Sequence, residues 1–340
     1  MQGARSAMKL SMCLAFATVA TARGQTGDPF FRGKQISLFV GYNPGGSYDA
    51  YSSLAANALP RFIPGAPQIL VKHMPGVGGL KAANYLAIQA SRDGLSIGMV
   101  SQTLALRQVL GDAGLEYDAR KLNWIGRLAA AVEVTISRAD RGVRTIEDAR
   151  QREVVLAATS AGSTTDVMPR LMNIHAGTKF RIVKGYPGTA GATLAMERGE
   201  AEASHESIDT LLFNKPQWVR DGFVSVLVQY ALRRHRAFPE IPVMVDFGKT
   251  AAERELLELF GGTAEIGRAL LAPPGVPEER LAILRNAFDA MVADPAFREE
   301  VRRRNLEVDP LGAEELRALV ARTLDAPEAI VRQAIAIGGP

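Results

Sequence analysis

Residues 36–49 read ISLFVGYNPGGSYD, and this stretch decides the fold class that the sequence predicts. Ile36–Val40 is a short apolar run bounded by turn residues, which is typical of a buried strand. The segment NPGGS (residues 43–47) breaks the strand, and a helical segment follows from Asp49. A buried strand, a glycine-rich loop and a helix in this order predict the first unit of an α/β sheet.

The same unit recurs along the chain. A second strand, Ile69–His73, is followed by the loop PGVGG (residues 75–79) and by another amphipathic helix. A third strand is predicted at Ser96–Val100, and the pattern continues with short strands near residues 154–159, 181–183 and 202–204. Repeated strand–loop–helix units predict a mostly parallel sheet that is covered on both faces.

The two glycine-rich loops, residues 41–49 and 75–79, are the first candidate site. Glycine lets the backbone approach a ligand closely, and the first N–H groups of a helix have no partners within the helix. The helix dipole favours negative charge at the same place. Loops at the carboxyl ends of parallel strands are also where such sheets bind ligands. The loops therefore predict an anion site, with ordinary tight turns as the alternative.

The second half of the chain carries three polar segments at predicted strand ends: TSAGSTTD (159–166), GYPGT (185–189) and SHES (204–207). Their hydroxyl groups could cap the helices that follow or contact a ligand. His205 next to Glu206 suggests acid–base chemistry, but neighbouring residues of a strand point to opposite faces. The sequence therefore favours His205 as a ligand contact rather than as a catalytic residue.

Several function classes are disfavoured. The chain has 40 basic and 36 acidic residues, which does not favour nucleic-acid binding. There is no G-x-S-x-G nucleophile elbow, because GLSIG (94–98) leads into a predicted strand instead of following one, and there is no H-E-x-x-H motif. The glycines at 76–79 lack the remainder of a dinucleotide-binding fingerprint. The four histidines are scattered and Cys13 is the only cysteine. We therefore predict no catalytic residues, no metal and no cofactor.

The N-terminus predicts export. Arg5 and Lys9 precede the uncharged apolar run Leu10–Ala20, and Ala20-Thr21-Ala22 forms an A-x-A pattern. This order is typical of a secretory signal peptide, here residues 1–22 with cleavage near Ala22. About 318 residues remain, which is enough for two domains. The expected location is the periplasm.

An ordered set of motifs resembles the Bug-type substrate-binding proteins of tripartite tricarboxylate transporters. The set comprises PGGxxD (44–49), PGxGG (75–79), RDG (92–94), GYPG (185–188), AMERGE (195–200) and APPGVP (272–277). The resemblance extends from about residue 31 to residue 340. It implies a type II periplasmic-binding-protein-like α/β fold, with a ligand cleft between two lobes and a two-strand hinge. We expect lobe 1 at 28–130 plus 239–340 and lobe 2 at 131–238.

The resemblance also implies a set of ligand contacts. In the first lobe these are Tyr42, Gly45, Gly46, Ser47, Asp49, Gly76, Val77, Gly78, Gly79, Ser101 and Gln102. In the second lobe they are Ser163, Thr164, Thr165, Gly188, Ser204 and His205. The segment 161–163 lacks the proline that is usual in the family, and SHES matches no typical pattern, so these departures affect substrate identity.

The function implied by the resemblance is capture of a small organic carboxylate, either a di- or tricarboxylate or an aromatic acid. Hinge closure around the ligand would present it to the membrane permease subunits of a tripartite tricarboxylate-type transporter. A monomer that binds no nucleic acid is expected. Two alternatives are a periplasmic sensor for a two-component system and a secreted α/β hydrolase that uses His205 with Glu206 or Asp166.

Overall fold

The computed structural model describes residues 29–338, so the predicted signal peptide and its cleavage position lie outside the described residues. The strands, in chain order, are β1 (Gln35–Val40), β2 (Gln68–His73), β3 (Ser96–Met99), β4 (Asn123–Arg127), β5 (Glu133–Arg138), β6 (Val154–Ala157), β7 (Phe180–Val183), β8 (Ala203–Ser207), β9 (Val224–Tyr230), β10 (Ala269–Ala272) and β11 (Leu311–Gly312).

Helices follow most of the strands. They are α1 (Ser47–Ala58), α2 (Leu80–Ile88), α3 (Leu104–Leu110), α4 (Asp148–Gln151), α5 (Thr164–His175), α6 (Gly188–Arg198), α7 (Ile208–Phe213), α8 (Pro216–Arg220), α9 (Ala251–Gly261), α10 (Thr263–Ile266), α11 (Glu278–Ala293), α12 (Pro295–Arg303), α13 (Ala313–Leu324) and α14 (Glu328–Gly338). None of the helices between residues 29 and 338 has the length and apolar character needed to cross a bilayer.

The strands form two mixed sheets. The first has the order β11-β4-β10-β3-β1-β2, in which β1 is parallel to β2 and β3 while β10 is antiparallel to its neighbours. The second has the order β7-β6-β8-β5-β9, in which β6 is parallel to β7 and β8 while β5 is antiparallel to β8 and β9. The predicted α/β class with strand–loop–helix units is thus confirmed. The expectation of a mostly parallel sheet is wrong, because five of the nine strand pairings between residues 29 and 338 are antiparallel.

Each sheet builds its own hydrophobic core. In the first, Leu38 and Ile97 pack against α1 and α11 through residues such as Phe288. In the second, Leu156 packs with α5 and with Phe260 of α9. Because each sheet buries its apolar side chains against its own helices, the molecule has two lobes.

Two chain segments connect the lobes side by side. The Leu128 N–H donates to the Arg268 carbonyl at 3.0 Å, and the Arg268 N–H donates to the Ala129 carbonyl at 2.8 Å. The Ala131 N–H donates to the Ala264 carbonyl at 2.8 Å. A Cβ atom on Gly267, whose φ is +59°, would lie only 2.0 Å from the Ala129 carbonyl oxygen. Only glycine permits this close antiparallel crossing.

We propose that the return crossing lies later in the chain than the expected boundary at residue 239. The long apolar run Val224–Leu232 lies before that boundary and provides strand β9 at the edge of the second sheet. Helices α9 and α14 also pack into the second core, because their apolar faces cover it. The proposed return crossing therefore lies at residues 264–268, and the exact lobe boundaries are likewise a proposal.

Candidate functional site

The two glycine-rich loops of the first lobe lie in direct contact. A Cβ atom on Gly41 would lie 2.9 Å from the Cα of Gly79, so the loops can approach this closely only because side chains are absent. The Tyr42 hydroxyl donates to the Gly78 carbonyl at 3.4 Å. His73 Nδ1 lies 3.0 Å from the Tyr42 carbonyl. The parallel pairing of β1 and β2 places both loops at the same edge of the sheet.

Asp49 fixes the first loop. Its Oδ2 accepts the Gly45 N–H at 2.8 Å, and its Oδ1 lies 3.1 Å from His73 Nε2. Gly45 has a φ of +89°, which turns its N–H toward this carboxylate. The Gly45 amide therefore already has an anionic partner, and both carboxylate oxygens of Asp49 are engaged within the loop. These bonds give Asp49 a positioning role and do not support the ligand contact predicted for it.

The second loop is strained. Val77 has a φ of +46°, which is an outlier for a β-branched residue, and its side chain is 69% exposed. The Gly79 N–H donates to the Gly76 carbonyl at 3.0 Å and closes the turn. Arg107 donates from Nη1 to the Val77 carbonyl at 2.7 Å, while its Nε pairs with Asp112. Strained segments held by their surroundings are frequent at binding sites.

Two stacked tyrosines connect the first loop to the end of β3. The rings of Tyr42 and Tyr48 lie 4.2 Å apart. The Tyr48 hydroxyl donates to the Gln102 side-chain carbonyl and accepts the Gln102 N–H at 3.1 Å, and Tyr42 bonds the Ser101 side chain. Burial raises the pKa of both phenols. The predicted residues Ser101 and Gln102 thus lie beside both loops.

Glu133, the first residue of β5, lies where the two lobes meet. Its Oε1 accepts from Gln102 Nε2 at 3.4 Å, and its Oε2 lies 2.9 Å from His205 Nε2. Burial alone would raise the pKa of Glu133, but His205, Arg268 and a hydrogen bond from Thr164 together lower it. The side chain is 21% exposed. Glu133 is therefore an ionised group within the cleft.

His205 contributes to a polar face of the second sheet. It pairs with Thr135 across the β5–β8 ladder, and its ring lies 5.0 Å from that of Tyr230. The Tyr230 and Thr135 hydroxyls lie 2.6 Å apart. His205 is 1% exposed, and its Nδ1 has no hydrogen-bond partner among residues 29–338.

Ser204 and Glu206 face the opposite side of β8, because side chains alternate along a strand. The Thr193 hydroxyl of α6 donates to Glu206 at 2.9 Å, and Ser204 is completely buried. The structure therefore does not bring the predicted ligand contact Ser204 onto the face of His205. His205 and Glu206 are likewise on opposite faces and do not form a catalytic pair.

Arg268 connects the lobes at the hinge. Its Nη2 donates to Ser47 Oγ at 2.9 Å and to Ser207 Oγ at 3.3 Å, and it pairs with Asp209 at 2.9 Å. The guanidinium also lies over the Tyr48 ring at 4.2 Å. Burial would lower the pKa of Arg268, but Tyr48 and Asp209 raise it above its ordinary value. The cation joins the start of α1 to the segment after β8.

The loop before α5 repeats the geometry of the first loop. The Gly162 N–H donates to Asp166 Oδ2 at 3.0 Å, as Gly45 does to Asp49. The Ser163 hydroxyl donates to the Ser160 carbonyl at 2.7 Å, and Thr165 bonds the Thr159 hydroxyl at 2.9 Å. These hydroxyls support the turn, and the Thr164 hydroxyl contributes to the lowered pKa of Glu133.

The start of α6 is the other predicted loop of the second lobe. Gly188 is its first residue, exposed and with a φ of +71°.

Comparison with known proteins agrees with this geometry. The family model of the tripartite tricarboxylate transporter family receptor matches residues 63–335. The chain belongs to this family. The family resemblance expected from the motifs is thus confirmed, and a receptor of this family is a solute-binding protein rather than an enzyme.

This transporter-family receptor has relatives of similar length. A Cupriavidus necator protein, described as the UPF0065 protein in the gbd 5′ region, is 24% identical over 314 residues, which covers 89% of this chain and 88% of the relative. The solved structure of the periplasmic binding protein BugD has a TM-score of 0.67 at 18% identity, covering 91% of this chain and all of BugD. A Rhodopseudomonas palustris protein solved with adipate has a TM-score of 0.68 at 18% identity, covering 89% and 97%. The predicted type II two-lobe fold is confirmed.

Sequence reasoning missed three charged residues of this receptor: Arg107, Glu133 and Arg268. Each is a single charge within or beside an apolar run, and such a pattern usually marks an exposed position. Only the pairing of β5 with β8 and the crossing at Gly267 bring Glu133 and Arg268 to the cleft. The sequence signal that could have identified these residues is a lone charge at the boundary of a predicted buried strand.

A cavity of about 210 Å³ lies beside the first loop of the receptor, lined by residues that include Gly46, Asp209, Asn214 and Arg304. Neither the second loop nor Glu133 is among its lining residues. Among residues 29–338, no group of three or more His, Cys, Asp or Glu side chains is arranged to hold a metal ion.

Proposed function

We propose that the protein captures a small organic carboxylate in the cleft between its lobes and presents it to the permease subunits of a tripartite tricarboxylate-type transporter. The observation that carries this proposal is the contact between two helix-start loops, which bring backbone dipoles to one edge of the first sheet. Such helix starts attract anions. The adipate in one structural relative supports the ligand class.

The proposed location is the periplasm, after cleavage of the signal near Ala22. The polar segments before α5 and α6 would close over the ligand, with Thr164 and His205 as the contacts of the second lobe. The hinge for this closure is the paired crossing at residues 128–131 and 264–268.

A matched pair of variants tests the proposal. Gly46 and Gly312 both precede the first residue of a helix, have φ values of −91° and −71°, and would meet no atom closer than 3.8 Å with an added Cβ. Gly46→Leu therefore folds and places a bulky side chain before α1. We expect it to weaken carboxylate binding about tenfold or more, measured by calorimetry on the full mature chain. Gly312→Leu, away from the cleft, should bind as the unaltered protein does.

The panel should contain succinate, malate, adipate and benzoate. Failure of a folded protein to bind any carboxylate, or equal affinities of the two leucine variants, would contradict the proposed function.

A further inference from the structure

We propose that the ligand carries a protonated amine in addition to its carboxylate, and that Glu133 is the residue that selects this amine. The inference rests on the proposed function, because it assigns the opposite end of the same cleft. The observation behind it is the Glu133 carboxylate, which would lie close to a second negative charge if the ligand were a simple dicarboxylate.

Glu133 is held from both lobes. Its two hydrogen-bond partners come from different parts of the molecule: Gln102 from the end of β3 and His205 from β8. The side chain nevertheless keeps 21% of its surface accessible. A carboxylate that is enclosed by both lobes yet reaches solvent faces the space that a ligand enters.

The charges around Glu133 do not favour a second anion. Arg268 is paired with Asp209 at 2.9 Å, so a second ligand anion would share this cation with Asp209. Glu133 and Asp49 have only histidines as ion-pair partners among the described residues. The cleft therefore already holds two acidic side chains. A zwitterion adds no net charge to it, whereas a dicarboxylate adds two negative charges.

The two ends of the cleft have different chemistry. At the second loop, Arg107 donates from Nη1 to the Val77 carbonyl, and Val77 and Gly78 are exposed to an approaching carboxylate. At the other end, an ionised glutamate and a histidine ring face the ligand. The geometry therefore orients the ligand with its carboxylate toward Val77–Gly79 and its amine toward Glu133.

One oxygen of Glu133 is weakly occupied. The bond from Gln102 Nε2 to Oε1 is 3.4 Å long, at the outer limit of a hydrogen bond, whereas His205 Nε2 lies 2.9 Å from Oε2. A ligand ammonium group would replace the amide of Gln102 at Oε1 and form a charge-assisted bond, which is shorter and stronger. His205 would keep its position at Oε2.

Matched ligand pairs test this inference on the unaltered protein. Succinate, glutarate and adipate are compared by calorimetry with 4-aminobutyrate, 5-aminopentanoate and 6-aminohexanoate, which have the same numbers of carbon atoms. Aspartate and glutamate extend the series to amines next to a carboxylate. We expect the best amine-bearing ligand to bind about tenfold or more tightly than the best plain dicarboxylate.

Two isosteric variants identify the residue responsible. Glu133→Gln removes the charge and should abolish the preference for the amine, by weakening the amino acids while sparing or strengthening the dicarboxylates. Glu206→Gln is the control, because Glu206 is a buried carboxyl of the same sheet that faces α6 and not the cleft. It should leave the preference unchanged, and circular dichroism should show both variants folded.

The outcomes separate the two proposals. A protein that binds dicarboxylates as tightly as the amino acids, or whose amine preference survives Glu133→Gln, overturns this inference and leaves the proposed function standing. A folded protein that binds none of the ligands in either series contradicts both.

Discussion

At the scale of single residues, Glu133 and Glu206 show how different surroundings give two carboxyl groups on adjacent strands different pKa values. Glu133 is ionised because a histidine and an arginine lie close to it, and these lower its pKa although burial opposes them. Glu206 faces α6, where burial raises its pKa despite hydrogen bonds from Ser207 and Thr193. The two carboxyl groups belong to adjacent strands and differ because of the faces they occupy.

Glu206→Gln is expected to stabilise the protein at neutral pH. A raised pKa means that the folded state favours the protonated carboxyl. Its contribution to the stability of the fold is therefore complete below the ordinary pKa and is lost as pH rises through the raised value. Glutamine resembles the protonated form at every pH. We expect Tm to rise by about 2 °C or more at pH 8 and to match the unaltered protein at pH 4. An equal gain at both pH values would contradict this explanation.

At the scale of elements, α1 and α5 begin in the same way. In each, an aspartate in the first turn accepts the N–H of a glycine four residues earlier, at 2.8 Å for Gly45 and 3.0 Å for Gly162. Both glycines have positive φ values. Asp166 also pairs with Arg170 at 3.0 Å and is almost fully buried. The two lobes thus use one local device to end a strand and begin a helix.

Asp166→Ala should reduce the free energy of unfolding by about 1–3 kcal/mol, because the Gly162 N–H and the Arg170 guanidinium lose the buried carboxylate that accepts their hydrogen bonds. The control is Glu328→Ala in α14, which removes an exposed i,i+4 pair with Arg332 and should cost about 0.5 kcal/mol or less. Urea titration followed by circular dichroism measures both values. Equal losses would show that the loop before α5 does not depend on Asp166.

Local sequence patterns predicted these elements, whereas they could not predict which strands pair across long stretches of the chain. The helix expected from Asp49 and those expected to follow the segments 159–166 and 185–189 begin at Ser47, Thr164 and Gly188, because glycine, hydroxyl and acidic residues act within a few positions. The run Val224–Leu232 looks the same in sequence whether it crosses between lobes or pairs with β5. Whether the run pairs depends on where β5 lies in the fold. The positions of Glu133 and Arg268 depend on the same long-range pairing.

At the scale of the whole molecule, an ionic cluster supports the hinge. Arg127, at the end of β4, has a completely buried side chain that contacts Glu265 at 3.1 Å and Asp309 at 2.8 Å. Its Nε also donates to the Asp309 carbonyl at 3.1 Å. Arg233, in the segment after β9, pairs with the same two acids. The cluster ties the ends of both sheets to the crossing segments.

Arg127→Met should destabilise the protein by about 3–5 kcal/mol, because Glu265 keeps its charge in a buried position without its main partner. Arg302→Met on the exposed face of α12 is the control, since its pair with Glu299 lies in solvent and contributes about 1 kcal/mol or less. Guanidinium unfolding compares the two. A loss for Arg127→Met no larger than that of the control would show that the cluster does not support the hinge.

The long bond that Gln102 makes to Glu133 would turn the proposed ligand capture into an exchange of partners. An incoming molecule would gain only the difference between its own bond to this carboxylate and the one it displaces. Tight binding would then require a group that bonds the carboxylate more strongly than an amide does, and ligands that only fit the space would bind weakly.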